Sequence, residues 1–97
     1  MRLGGAQGDI GVRDLGQDLA VLQDATATEA LARKAWRQAV VAFGAGQMRH
    51  RDGDIDGVAL AALELRAADA DTALTEAQTA RAQAYIDLSL ALGGRAT

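Results

Sequence analysis

From Leu60 onward, apolar residues return at alternating steps of three and four: Leu60, Leu63, Ala67, Ala70, Leu74, Ala77, Ala84, Leu88 and Ala91, with Arg81 the one interruption. That spacing is the seam of a helix that packs one stripe against a partner helix over several heptads. Its many alanines let the partner approach more closely than leucines would. A second helical pattern precedes it, from about Val12 to Arg51, with Leu15, Leu19 and Leu22 near its start and Trp36, Val40 and Phe43 near its end. The middle of this stretch is alanine-rich and less sharply patterned. Gly11, Gly16, Gly44 and Gly46 each cost about 1 kcal/mol relative to alanine inside a helix, which predicts fraying at the start and a soft spot near residue 45.

Between the two patterns lies Arg51-Asp52-Gly53-Asp54-Ile55-Asp56-Gly57. Gly53 and Gly57 can take positive φ without steric cost, and Asp54 or Asp56 can accept hydrogen bonds from the free amides that open the second helix. A connection this short reverses the chain and lays the helices side by side. The expected fold is therefore all-α, a long antiparallel two-helix coiled-coil hairpin with helices at about 12–51 and 57–92. Its arms would each span roughly 50–55 Å at 1.5 Å per residue. Residues 1–8, with three glycines and little to pack, read as a disordered tail; residues 9–94 form the hairpin; residues 95–97 are a short C-terminal tail.

Polarity along the second arm is uneven. From Glu64 to Gln83 one face carries Glu64, Asp69, Asp71, Thr72, Glu76 and Thr79, as expected of a solvated outer surface. From Ala84 to Leu92 this changes: Tyr85, Ile86, Leu88, Leu90 and Leu92 point in every direction around the helix, interrupted only by Asp87 and Ser89. A two-helix hairpin cannot bury an apolar end of that kind. More protein, either further copies or the remainder of a larger chain, is expected to pack there.

Composition narrows the function classes. With 97 residues the chain is at most one domain or a piece of a larger one, too small to carry a large catalytic cleft. Apolar residues make up 49% and aromatics 3%, and proline is absent, a balance suited to helices rather than sheets. The formal net charge of −3 supplies no basic field for nucleic acid or anionic lipid, so neither is an expected partner. Without cysteine there is no disulfide or zinc–thiolate site. Residues Met1 to Gly16 lack the apolar core of an export signal, and no run approaches the ~18 apolar residues of a membrane-spanning helix.

Candidate chemistry is sparse. Asp52-Gly53-Asp54-Ile55-Asp56-Gly57 matches the first half of a calcium loop, with carboxylates at its first, third and fifth positions and glycine at its sixth. The twelfth position, which needs a bidentate Glu, is Leu63, and Glu64 comes one residue late. Because Leu60 and Leu63 belong to the seam, the chain is already helical where such a loop would still be wrapping metal. The segment reads as a capped turn, and no metal or cofactor is expected. His50, the one histidine, sits between Arg49 and Arg51 with no nucleophilic partner at recognisable spacing, so no catalytic residue is assigned. Trp36, Val40 and Phe43 read as packing. Arg81 would pack its stem and send its guanidinium to solvent or a neighbouring carboxylate. Glu29 and Arg33 form a favourable pair four apart, on the exposed side of the first helix.

The run from Gln47 to Asp56, then Leu60, Leu63, Ala67 and Leu74, then Ala80-Arg81-Ala82-Gln83-Ala84-Tyr85-Ile86 and finally Ala91-Leu92-Gly93-Gly94, resembles the C-terminal segment of TolC-type outer-membrane efflux proteins. In that family a descending helix ends in an Arg-x-x-Gly turn, a long helix ascends, and the segment closes on Ala-Leu-Gly-Gly. The likeness runs ungapped from about Ala30 to Gly94, with His50-Arg51-Asp52-Gly53 at the place of Arg-x-x-Gly.

The resemblance implies a homotrimeric channel with a barrel in the outer membrane and an α-helical tunnel crossing the periplasm. The turn would then be the periplasmic tip, where Arg51, Asp52, Gly53, Asp54, Ile55 and Asp56 meet an adaptor protein and, through it, an inner-membrane pump. Leu92, Gly93 and Gly94 would end the helix near the tunnel's equator. Full members carry an export signal, two structural repeats and four barrel strands, whereas this chain corresponds to the last hairpin, so its membrane contact would come only through the missing barrel. Where well-known members place acidic residues after the tip turn, Val58-Ala59-Leu60-Ala61-Ala62 stands here, leaving Asp54 or Asp56 to supply any carboxylate ring. Two other readings stand beside this one: a stand-alone coiled-coil interaction module and a calcium-binding module at Asp52–Gly57.

Overall fold

The computed structural model describes the backbone of residues 3–96 and the side chains of residues 15–94. Two helices account for nearly all of it, α1 (Leu3–Arg51) and α2 (Gly57–Ala96), folded back on each other as an antiparallel hairpin. The result is a rod of 77 × 19 × 13 Å. Both helices run past the expected bounds, through 3–11 and 93–96; Met1, Arg2 and Thr97 lie outside the described residues.

On α2, the ten positions of the three-and-four spacing, Arg81 included, are buried or half-buried. Every other described residue of that helix is exposed except the half-buried Ala59. The facing stripe of α1 has the same spacing: Leu15, Asp18, Leu22, Ala25, Glu29, Ala32, Trp36, Ala39, Phe43 and Gly46 are all buried or half-buried. Val40 is not part of it and stays exposed, unlike Trp36 and Phe43.

Three cross-arm neighbours fix the register. Gly46 lies against Leu63, Ala39 and Ala70 line one shared cleft, and Glu29 pairs with Arg81. The shared spacing then sets Phe43 opposite Ala67, Trp36 opposite Leu74, Ala32 opposite Ala77, Ala25 opposite Ala84 and Leu22 opposite Leu88. Alanine meets alanine at 39/70, 32/77 and 25/84, once every heptad, and larger side chains fill the layers between. Small residues on both helices of a layer permit close backbone approach, toward the lower end of the usual ~8–10 Å between axes. The core that results is thin: Ala39, Leu74, Ala77 and Ala84 are the buried hydrophobic residues among those described.

Gly46 shows what this close packing demands. A Cβ added there would overlap Leu63 Cδ1 and lie 3.7 Å from both Ile55 Cδ1 and Leu60 Cδ1. The glycine lets three apolar side chains of the turn and α2 settle onto the backbone of α1. Gly44, with nothing within 4 Å of its added Cβ, has no such role. α1 nonetheless runs unbroken through both.

Candidate functional site: a capped tip and an apolar open end

The tip is held almost entirely by its own backbone. Gly53 takes φ +82°, its N–H donates to His50 O at 3.0 Å, and the Asp54 N–H donates to Arg49 O at 2.8 Å. This pair of bonds is the Schellman ending of a helix, which satisfies carbonyls the last turn would leave free. It requires a left-handed residue at the position Gly53 occupies. Gly57 needs no positive φ, because it is already the first residue of α2.

Two residues later the second helix is capped. Asp56 Oδ1 accepts from the Ala59 N–H at 2.8 Å, the side-chain-to-third-amide bond of an N-cap, and Asp56 O accepts from Leu60 N at 3.1 Å as the helix begins. Of the two aspartates that the sequence offers as caps, Asp56 takes the role. Ile55 and Leu60 flank this cap on either side and share the space above Gly46, an apolar clasp that fixes the angle at which the chain enters α2. Arg49 and Arg51 occupy the last turn of α1, where their positive charge complements the partial negative charge of exposed carbonyls.

Of the six tip residues named from the resemblance, Arg51, Asp52, Gly53, Asp54 and Asp56 are exposed and Ile55 is half-buried. The turn is therefore a pinned platform that shows solvent two carboxylates not used in capping, Asp52 and Asp54, beside the Arg51 guanidinium. No group of three His, Cys, Asp or Glu residues among those described is arranged to hold a metal ion.

Midway along the rod, one polar layer interrupts the seam. Glu29, placed on the exposed side by the sequence reading, instead turns into the interface with its side chain 12% exposed. Its Oε2 accepts from Arg33 Nη2 at 2.7 Å and its Oε1 accepts from Arg81 Nε across the hairpin. The Arg33 hydrogen bond foremost, with Arg81 adding to it, holds the Glu29 carboxyl below its ordinary range against an opposing effect of desolvation. Arg81 thus packs its stem in the seam and gives its head to a carboxylate. Sequence reasoning missed Glu29's part because a charged residue hides the α1 stripe. Counting back from Phe43 in steps of four and three reaches Glu29 and would have exposed it.

Large apolar side chains are exposed along the whole rod, among them Leu31, Val41, Met48, Val58 and Leu65, and four lie within one short stretch of α2 at the end away from the tip. Tyr85, Ile86, Leu90 and Leu92 are 59%, 49%, 70% and 52% exposed, and Leu19 and Val21 on α1 are also exposed. Leu88 and Ala91 are half-buried against α1. No helix among the described residues is long and apolar enough to cross a membrane.

No protein-family model, curated protein or solved structure matches the chain. A functional reading therefore rests on the two ends of the rod and the seam between them.

Proposed function

We propose that the chain is a helical-hairpin segment of a TolC-type outer-membrane efflux channel subunit. In this role it forms part of a periplasmic tunnel wall and presents its tip, residues 51–56, to an adaptor protein. The observation that carries the reading is a tightly capped turn at one end together with Tyr85, Ile86, Leu90 and Leu92 left exposed within one short stretch of α2 at the other. Exposed apolar clusters of this kind mark surfaces that other protein covers. With Ile55 turned inward, adaptor docking falls to Arg51, Asp52 and Asp54. On this reading the protein conducts substrates rather than converting them, works as a homotrimer with the rest of the channel, and needs no cofactor.

The test is an exchange. Residues 30–94 replace the corresponding C-terminal hairpin of an intact TolC-type channel, and trimer assembly and drug efflux are measured in cells lacking their own channel. Assembled trimers with restored efflux are expected. Failure to assemble, while the isolated chain folds as a hairpin, would overturn the reading.

The self-contained seam favours a second reading, a stand-alone coiled-coil interaction module, because two arms that pack in register over so many layers can fold without further chain. A calcium module has less support: Asp56 Oδ1 is engaged in capping α2, and α2 begins at Gly57, before a calcium loop would be complete.

A further inference from the structure

Three arginines share one cleft of ≈ 430 Å³ on the flank of the rod, lined by Thr26, Glu29, Ala30, Arg33, Arg37 and Arg81. Glu29 is the one acid in that lining, and both of its oxygens are taken, one by Arg33 and one by Arg81. The lining therefore carries three positive charges against one negative. Donors remain after the carboxylate is satisfied. Arg81 binds through Nε, which leaves both of its terminal nitrogens; Arg33 binds through Nη2, which leaves Nε and Nη1. Arg37, one turn beyond Arg33, makes no ion pair among the described residues. Glu29 thus acts as a brace that holds two arginine forks, one from each helix, and Arg37 adds a third arginine to the lining.

We propose that this cleft is a binding site for a phosphate-type oxyanion. Arginine forks match tetrahedral and planar oxyanions with paired hydrogen bonds, which lysine's single point charge does not reproduce. The residual charge of the cleft balances a dianion, and its volume leaves room for a group attached to the phosphorus. Thr26 does not compete, because its hydroxyl already donates to Leu22 O at 2.8 Å. Since the site joins α1 to α2 through Arg33, Arg37 and Arg81, occupancy would staple the two arms together. The proposal is independent of the channel reading.

The experiment uses the full chain, with inorganic pyrophosphate as the probe at millimolar concentration against sodium chloride of equal ionic strength. Thermal unfolding followed by circular dichroism gives the readout, because a ligand that binds only the folded hairpin raises its melting temperature. A rise of a few degrees over the chloride control is expected. Arg37→Gln, which touches neither the seam nor the Glu29 pair, should keep the helical signal and lose at least half of that rise; Arg66→Gln, elsewhere on the rod, should keep it. A rise equal in Arg37→Gln and wild type, or equal to that of chloride, would overturn the site. A second arm separates the source of the phosphate: co-sedimentation with phosphatidylcholine vesicles containing phosphatidate, but not with phosphatidylcholine alone, assigns a lipid headgroup. Pyrophosphate stabilisation without vesicle binding assigns a free solute.

Discussion

Leu74→Ala is the substitution that probes the seam most sharply. Leu74 is the largest of the four buried hydrophobic residues, 6% exposed, and lies in the layer opposite Trp36. Truncation to alanine removes three carbons from the interface, worth about 2 kcal/mol at roughly 0.8 kcal/mol each. The space left can be partly reclaimed by Trp36, which is only half-buried, so the cavity contribution is small and the total stays near the low end of the ~2–5 kcal/mol found for such changes. For a chain of this size, about 2 kcal/mol lowers the melting temperature by roughly 10–15 °C. Leu65→Ala is the matched control: the same chemistry on the same helix, at a side chain 61% exposed, with an expected effect within about 0.5 kcal/mol. Circular dichroism melts at one fixed protein concentration compare the two, since association would otherwise shift both. If Leu74→Ala and Leu65→Ala melt within a degree or two of each other, the seam is not where the hairpin's stability resides and the packing argument fails.

The register, the glycines and the polar layer each yield a further expectation. Cysteines replacing Ala32 and Ala77, which face each other, should form an intrachain disulfide under mild oxidation, whereas cysteines replacing Ala32 and Ala84, one heptad off, should not; the reverse pattern on a non-reducing gel would show a shifted alignment. Gly44→Ala, with open space at its Cβ, should stabilise the chain by up to about 1 kcal/mol, while Gly46→Ala, which drives Leu63 aside, should gain nothing or lose stability, and equal melting shifts would contradict the close approach at Gly46. Because the folded state lowers the Glu29 pKa below 4.5, its contribution is complete above that value and is lost as pH falls through the lowered one. An acid titration should therefore show wild type losing stability faster than Glu29→Gln below about pH 4.5, and parallel curves would remove Glu29 as the cause.

The two arms differed in how much the sequence disclosed. α2 was legible because leucines and alanines alternate cleanly against Glu64, Asp69, Asp71 and Glu76. α1 carries an equally regular stripe, but Asp18, Glu29 and Gly46 occupy three of its positions, and a hydrophobicity pattern cannot register a charged or absent side chain as part of an interface. The register was not legible from either arm alone, since it depends on which alanine faces which. At the tip, Gly53 announced a reversal through its freedom at positive φ, yet the choice between Asp54 and Asp56 as cap turned on backbone geometry. The arginine-lined cleft was likewise hidden, because Arg81 joins Arg33 and Arg37, four apart on α1, only once the hairpin closes and Glu29 draws Arg33 and Arg81 together.

The proposed role depends on the apolar end being an assembly surface that the isolated chain leaves uncovered. Sedimentation velocity of the full chain alone, across a range of concentrations, measures this directly. The expected result is a helical chain that associates without settling at one size, and that becomes monomeric when Tyr85 and Leu90 are both changed to Ser. A single discrete oligomer that melts cooperatively and survives those two changes would contradict it, and would identify a self-sufficient coiled-coil module instead.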